Sequence, residues 1–162
     1  MSRAGALLRA LLLIGAALTA AGGSARAEPY EVDPDLATRD EDYAAGKRAV
    51  DRQDWGEAIR RFKLAERRHP EQADLQNILG YAHRNLKQYD LAFVHYKRAI
   101  ELEPRHRGAH EYIGEAYLMR GDLARAEAHL RELDRLCGTR CEEREDLHAA
   151  IEQYKARATT TR

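Results

Sequence analysis

The sequence is short of the residues that build sheets: there are almost no runs of Val, Ile and Thr, so strands are excluded as its main element. It also lacks a charge of one sign. The 27 basic and 27 acidic residues cancel, leaving no electrostatic footprint for nucleic acid. No apolar run approaches the roughly 20 residues a bilayer core requires. There is no HExxH, no Gly-rich phosphate loop and no G-x-S-x-G, so the usual signatures of metal-dependent, nucleotide-dependent and serine-based catalysis are missing. Cysteine is scarce as well, with only Cys137 and Cys141.

What is present points to surface-rich helices. Charged residues make up 33% of the 162-residue, 18.4 kDa chain, set among much Ala, Leu, Glu and Arg. That length suits one domain with a modest core. The first residues have a different character. Arg3 and Arg9 precede the apolar run Leu11 to Leu18, and Ala25-Arg26-Ala27 places small residues where a signal peptidase needs them. Residues 1–27 are therefore expected to be a secretory signal peptide, and the mature protein to be periplasmic or secreted, with no membrane role after cleavage. Removing Arg3, Arg9 and Arg26 leaves 24 basic residues against 27 acidic ones, a formal charge of −3.

An oxidising compartment favours pairing of Cys137 with Cys141. Four residues of helix rise about 6 Å, within disulfide reach, and so small a loop would contribute about 2 kcal/mol. A redox or soft-metal pair of the C-x-x-x-C kind is the alternative.

The dominant signal is internal repetition. Gly46, Gly80 and Gly114 recur every 34 residues, as do Ala58, Ala92 and Ala126, and Pro70 and Pro104 share the period. This pattern resembles the tetratricopeptide repeat (TPR) family, and specifically an exported bacterial member. The resemblance implies an all-α, right-handed superhelical solenoid of three helix-turn-helix units, 39–72, 73–106 and 107–140. A capping helix at 141–158 follows them. The glycine at the eighth position lets helices approach closely, and Ala58, Ala92 and Ala126 at the twentieth serve the same contact. Phe62 and Tyr96 supply the aromatic of the twenty-fourth position, where the third unit has Leu130. Ala65 and Ala99 fill the twenty-seventh, with Leu133 departing. Pro70 and Pro104 end the second helices, with Gly138 in the equivalent place. Departures concentrated in the last unit fit the atypical ends of a repeat array.

Local signals predict first helices near 40–52, 73–86 and 107–120, and second helices near 55–68, 89–102 and 123–136. Asp54 and Asp122 are suited to cap second helices; Gln88 is a poorer cap. Trp55, Tyr89 and Leu123 should plug the junctions. Leu147, Ile151 and Tyr154 form the apolar stripe of a helix from Glu142 to Ala156 that would cover the third unit. Residues 28–38 and 159–162 are expected to be disordered.

Seven histidines carry no ligand pattern of three, and no cofactor is implied. His83 and His95 fall on positions that face other helices; His106 and His110 lie at the start of a first helix. Binding is what remains. In the family, first helices line a concave groove through the second, fifth, ninth, twelfth and thirteenth positions. Carried over, these give Asp40, Tyr43, Lys47 and Asp51; then Asp74, Asn77, Tyr81, Arg84 and Asn85; then Glu111, Glu115, Leu118 and Met119. Tyr43, Tyr81 and Arg84 lead as hot spots and are expected to be exposed enough that Ala would hardly change stability. The family's Lys/Asn/Lys/Arg clamp for C-terminal carboxylates is absent, since Tyr43, Gly108 and Tyr112 occupy its basic positions. The resulting expectation is a non-catalytic scaffold or assembly adaptor with a protein or peptide partner bearing both charges. A Cys137/Cys141 metal or redox protein and a self-associating homo-oligomer are the rivals.

Overall fold

A computed structural model describes residues 36–160, which contain eight helices. A single turn, α1 (Leu36–Arg39), leads into three helical pairs: α2 (Glu41–Asp51) with α3 (Trp55–Arg68), α4 (Ala73–Asn85) with α5 (Tyr89–Leu102), and α6 (Arg107–Met119) with α7 (Leu123–Cys137). The last helix is α8 (Glu142–Thr160). Each pair packs internally and against the next, and α8 packs on both α6 and α7. This is the all-α solenoid of helical pairs that the resemblance implies. The signal-peptide expectation for residues 1–27 and most of the 28–38 segment lie outside the described residues. Two edges are corrected. Leu36 is buried at the head of α1, so the last part of 28–38 is structured, and α8 continues to Thr160 rather than stopping at 158.

The caps follow the sequence chemistry. Asp54 and Asp122 accept the Glu57 and Arg125 backbone N–H at 3.1 Å each, and Asp40 accepts from Tyr43 at 2.9 Å. His106 caps α6 by accepting from Ala109 at 3.3 Å. Gln72 and Gln88 make no side-chain cap; Gln88 meets His83 Nδ1 at 2.7 Å instead.

The repeated glycines do something slightly different from bringing two helix backbones together. A Cβ on Gly46 would lie 2.4 Å from the Phe62 ring, and one on Gly80 would lie 2.6 Å from the Tyr96 ring. Each glycine thus seats the twenty-fourth-position aromatic of its own unit. In the third unit that aromatic is Leu130, which is only half-buried, and the seat beside Gly114 is taken by Leu147 of α8, whose Cδ2 lies 2.6 Å from where a Cβ would be. The loss of an aromatic in the repeat and the presence of α8 are one packing solution. Leu118, Ala126, Leu133, Leu147 and Ile151 form the resulting cluster at this end, and Leu147 and Ile151 are fully buried.

A second repeated feature is polar. The fourth residue of each unit bonds the twenty-third: Arg61 donates to Asp42 at 3.0 Å, His95 Nδ1 meets Gln76 Oε1 at 2.7 Å, and His110 and His129 share an Nδ1–Nδ1 contact of 3.0 Å. These rungs tie the two helices of every unit at the same height. His95 is neutral, because its Nε2 accepts from Lys63 Nζ at 3.1 Å while Nδ1 donates to Gln76. Burial, reinforced by Lys63 and His83, pushes its pKa down to about 4. His110 places Nε2 at 3.1 Å from the Pro104 carbonyl, so its Nδ1 is the acceptor for His129. Burial and then His110 hold His129 near 4 as well.

Candidate peptide groove

The first helices α2, α4 and α6 present one face to a cleft of about 330 Å³ lined by Tyr43, Lys47, Val50, Asp74, Asn77, Ile78, Tyr81 and Tyr112. Seven of these eight come from α2 and α4 positions three or four residues apart, the spacing that stacks side chains on one face. Further along, Glu115, Leu118 and Met119 of α6 face Ala150, Gln153, Tyr154 and Arg157 of α8 across a socket of about 230 Å³. The two hollows form the face on which the sequence-selected residues lie.

Those residues do not share one environment. Lys47, Asp51, Asn85 and Met119 are exposed, and Asn77, Tyr81 and Glu115 are half-buried. Asn85 turns back to donate to the Tyr81 carbonyl at 2.9 Å. Tyr43 leans on Phe62, with ring centroids 5.6 Å apart, and packs against the core cluster that includes Ala49, Ala58, Phe62, Leu75 and Leu79. The expectation that Arg84 is an exposed hot spot is corrected: only 8% of it is accessible. Its guanidinium lies between the Tyr81 and Tyr112 rings, 5.4 and 5.2 Å from their centroids, and is paired with Glu115. Burial alone would lower its pKa; the negative charge developing on Tyr96 and the charge of Glu115 oppose this and raise it. Tyr81 also touches Trp55 edge-on at 5.6 Å and Tyr112 at 5.3 Å. Trp55, Tyr81, Arg84 and Tyr112 therefore make a continuous floor joining all three units. The carried-over groove positions left out Tyr112, at the sixth place of its unit, which entered only as a place where a basic clamp residue is missing. The signal available was the 34-residue periodicity itself, which puts Tyr112 beside Ile78 and Ala44 in register.

Glu111 is likewise buried, at 8% accessible, although its position was assigned to an open face. The reason is α8, which leans onto α6 and brings Glu143 and Asp146 toward it. Burial first, then Glu115, Asp146 and Glu143, raise its pKa to about 8, with Arg84 pulling the other way.

His83 and His95 stack at 5.3 Å with planes 6° apart, away from the cleft. Cys137 and Cys141 are bonded to each other, Cα atoms 5.9 Å apart, linking the end of α7 to the start of α8. A bonded pair presents no thiolate to a soft metal. Among the described residues no three His, Cys, Asp or Glu side chains converge as a metal site, and no helix is long and apolar enough to cross a membrane.

Residues 43–102 and 95–139 match the family model described as Tetratricopeptide repeat. No curated protein matches the chain. Among solved structures, the chain resembles the TPR2B domain of yeast Sti1 in complex with pHsp70, with TM-score 0.63, 22% identity, and coverage of 78% of this chain and 98% of that one. It also resembles the Yersinia enterocolitica type III secretion chaperone SycD in complex with a peptide of the translocator YopD, with TM-score 0.65, 20% identity, and coverage of 75% and 95%. A third is the first TPR of Spaghetti (RPAP3) bound to the HSP90 peptide SRMEEVD, with TM-score 0.64, 20% identity, and coverage of 79% and 99%. At these identities the likeness is one of fold.

Proposed function

We propose, for a chain that belongs to the tetratricopeptide repeat family, that it is an exported adaptor or assembly factor holding an extended segment of a partner polypeptide along the α2–α4–α6 face. The observation that carries this is the cleft lined by Tyr43, Lys47, Asp74, Asn77 and Tyr81. It offers aromatic bodies with polar tips, a free cation and an amide within one concave stretch, the mixture that grips peptide backbone and side chains together. The Sti1, SycD and RPAP3 structures are complexes with pHsp70, a YopD peptide and an HSP90 peptide respectively, which supports peptide capture on this fold. The chain lacks the basic clamp residues for a C-terminal carboxylate, so the partner segment is read as internal rather than as a chain end.

Export rests on the residue 1–27 pattern. Intact mass of material from the native envelope should correspond to a chain starting at Glu28, and a mass retaining residues 1–27 would argue for an uncleaved anchor. For the groove, Lys47→Ala/Asn77→Ala/Met119→Ala removes side chains outside the buried core. This variant should fold normally and lose its partner, whereas equal retention of the same partner by wild type and variant would move the binding surface elsewhere.

A further inference from the structure

The chain passes from α7 to α8 through residues 138–140, all of them exposed. Cys137 at the end of α7 and Cys141 just before α8 close that stretch into a covalent ring. A Cβ on Gly138 would meet nothing within 4 Å, so the turn stands clear of the packed core. The helix that follows serves the groove in two ways. Leu147 fills the seat beside Gly114 of α6, and Ala150 and Tyr154 form the wall of the socket opposite Leu118 and Met119. Among the described side chains of α8, only Leu147 and Ile151 are buried. Ion pairs add ties from Arg144 to Asp134 at 2.8 Å, from Lys155 to Glu127 at 2.9 Å and from Glu143 to Arg107 at 3.5 Å, every one of these side chains at least a fifth exposed. Pairs so open to water add little. A helix held by two buried side chains and surface charges can open locally while the repeats stay folded, and the ring at its root restricts how far the open state can wander.

We propose that the Cys137–Cys141 bond is a redox latch on the α8 wall of the groove. Oxidised, it keeps α8 docked and the socket formed; reduced by a dithiol, α8 opens more often and the partner segment is held less tightly. The inference rests on the groove reading and adds its regulation. Cys137 is half-buried and Cys141 only 7% accessible, so the reductant's thiolate attacks the Cys137 sulfur and displaces Cys141, which takes up a proton. The reductant's second thiol then displaces Cys137 from the mixed disulfide. Two electrons and two protons pass to the cysteines, and the dithiol leaves as a disulfide. Cutting so small a ring frees the turn in the open state of α8 and raises that state's weight by up to about thirtyfold. Affinity falls by the factor by which the docked fraction falls.

The experiment compares the oxidised folded chain, the same chain reduced with dithiothreitol, and Cys137→Ser/Cys141→Ser. Hydrogen exchange read by mass spectrometry follows opening, and the binding probe is a labelled peptide selected from a random phage-displayed library on the oxidised chain. Amides of α8 should exchange faster after reduction, by up to about thirtyfold, while those of α2 to α5 keep their rates. The double serine variant should match the reduced chain whether or not reductant is present. Peptide affinity should fall by about threefold to thirtyfold on reduction and return on reoxidation. Exchange in α8 that does not respond to reduction overturns the latch, as does equal acceleration along the whole chain, which would make the bond a brace for the entire fold. An unchanged peptide affinity on the reduced chain overturns redox control and leaves the groove reading intact. Failure of the oxidised chain to enrich any peptide overturns the groove reading and its redox control together.

Discussion

Adding one methyl group at Gly114 should report whether α8 is a structural part of the last repeat. The Cβ of Gly114→Ala would stand 2.6 and 2.8 Å from the two Leu147 methyl carbons, about 1 Å inside a comfortable carbon contact. Overpacking of that size costs about 1–3 kcal/mol. Alanine in a helix interior gains about 1 kcal/mol over glycine, so the single variant should lose about 1 kcal/mol net. Leu147→Ala alone empties a fully buried site and should cost about 2–5 kcal/mol. In that background the clash is gone, and Gly114→Ala should turn favourable by about 1 kcal/mol. The two effects of Gly114→Ala therefore differ by about 2 kcal/mol, a coupling well above the scatter of independent sites. Urea denaturation of the four proteins, followed by far-UV circular dichroism, measures it. A coupling below about 0.5 kcal/mol would mean that Leu147 does not occupy the Gly114 seat, and the account of α8 would fail.

Arg84→Ala should destabilise the free protein by about 2 kcal/mol, because it opens a gap between two tyrosines and leaves Glu115, itself a quarter exposed, without its cation; a thermal midpoint within error of wild type would return Arg84 to the open surface. The His95 and His129 rungs fix the sign of a pH effect. Their folded pKa values lie below the ordinary 6.5, so their contribution is complete above about 6.5 and is lost as pH falls towards 4. The stability gap between wild type and His95→Gln/His129→Gln should narrow over that window in urea titrations, and a constant gap would refute neutral buried rungs. Glu111 acts oppositely: its contribution is lost as pH rises from about 4.5 through 8, so Glu111→Gln should gain on wild type in thermal midpoint between pH 5 and 8. Denatured, unreduced protein should take up no thiol label at Cys137 or Cys141, and stoichiometric labelling of both would revive the metal or redox alternative.

The units, the helix bounds and the caps at Asp54 and Asp122 were legible because each is set locally, by period, by a proline or by a carboxylate preceding a helix. The burial of Arg84 was not, because it depends on Tyr112, Tyr81 and Glu115 closing from two units at once, and position in a repeat says which way a side chain starts, not what meets it. Glu111 followed the same logic, since its cover comes from α8, outside the repeat register. The glycine seats were half legible: Gly46, Gly80 and Gly114 stood out as a need for space, but the occupant was the ring of Phe62 or Tyr96, or Leu147 where the ring is missing. The rungs were written in the sequence as Asp42/Arg61, Gln76/His95 and His110/His129. They differ in chemistry from unit to unit, so no residue type repeats to betray them.

The claim that this scaffold binds polypeptide through the face of its first helices is tested most directly by mapping where a partner touches. A photoreactive benzophenone amino acid can be placed at Lys47 or Met119, exposed on the groove face, and at Leu91 or Val94, exposed on the second-helix face. All four sites are on the surface, so the fold is spared. Irradiation of cells that make the protein should yield the same covalent partner from Lys47 and Met119 and little from Leu91 and Val94. Adducts arising mainly from Leu91 and Val94 would contradict the groove and assign recognition to the opposite face.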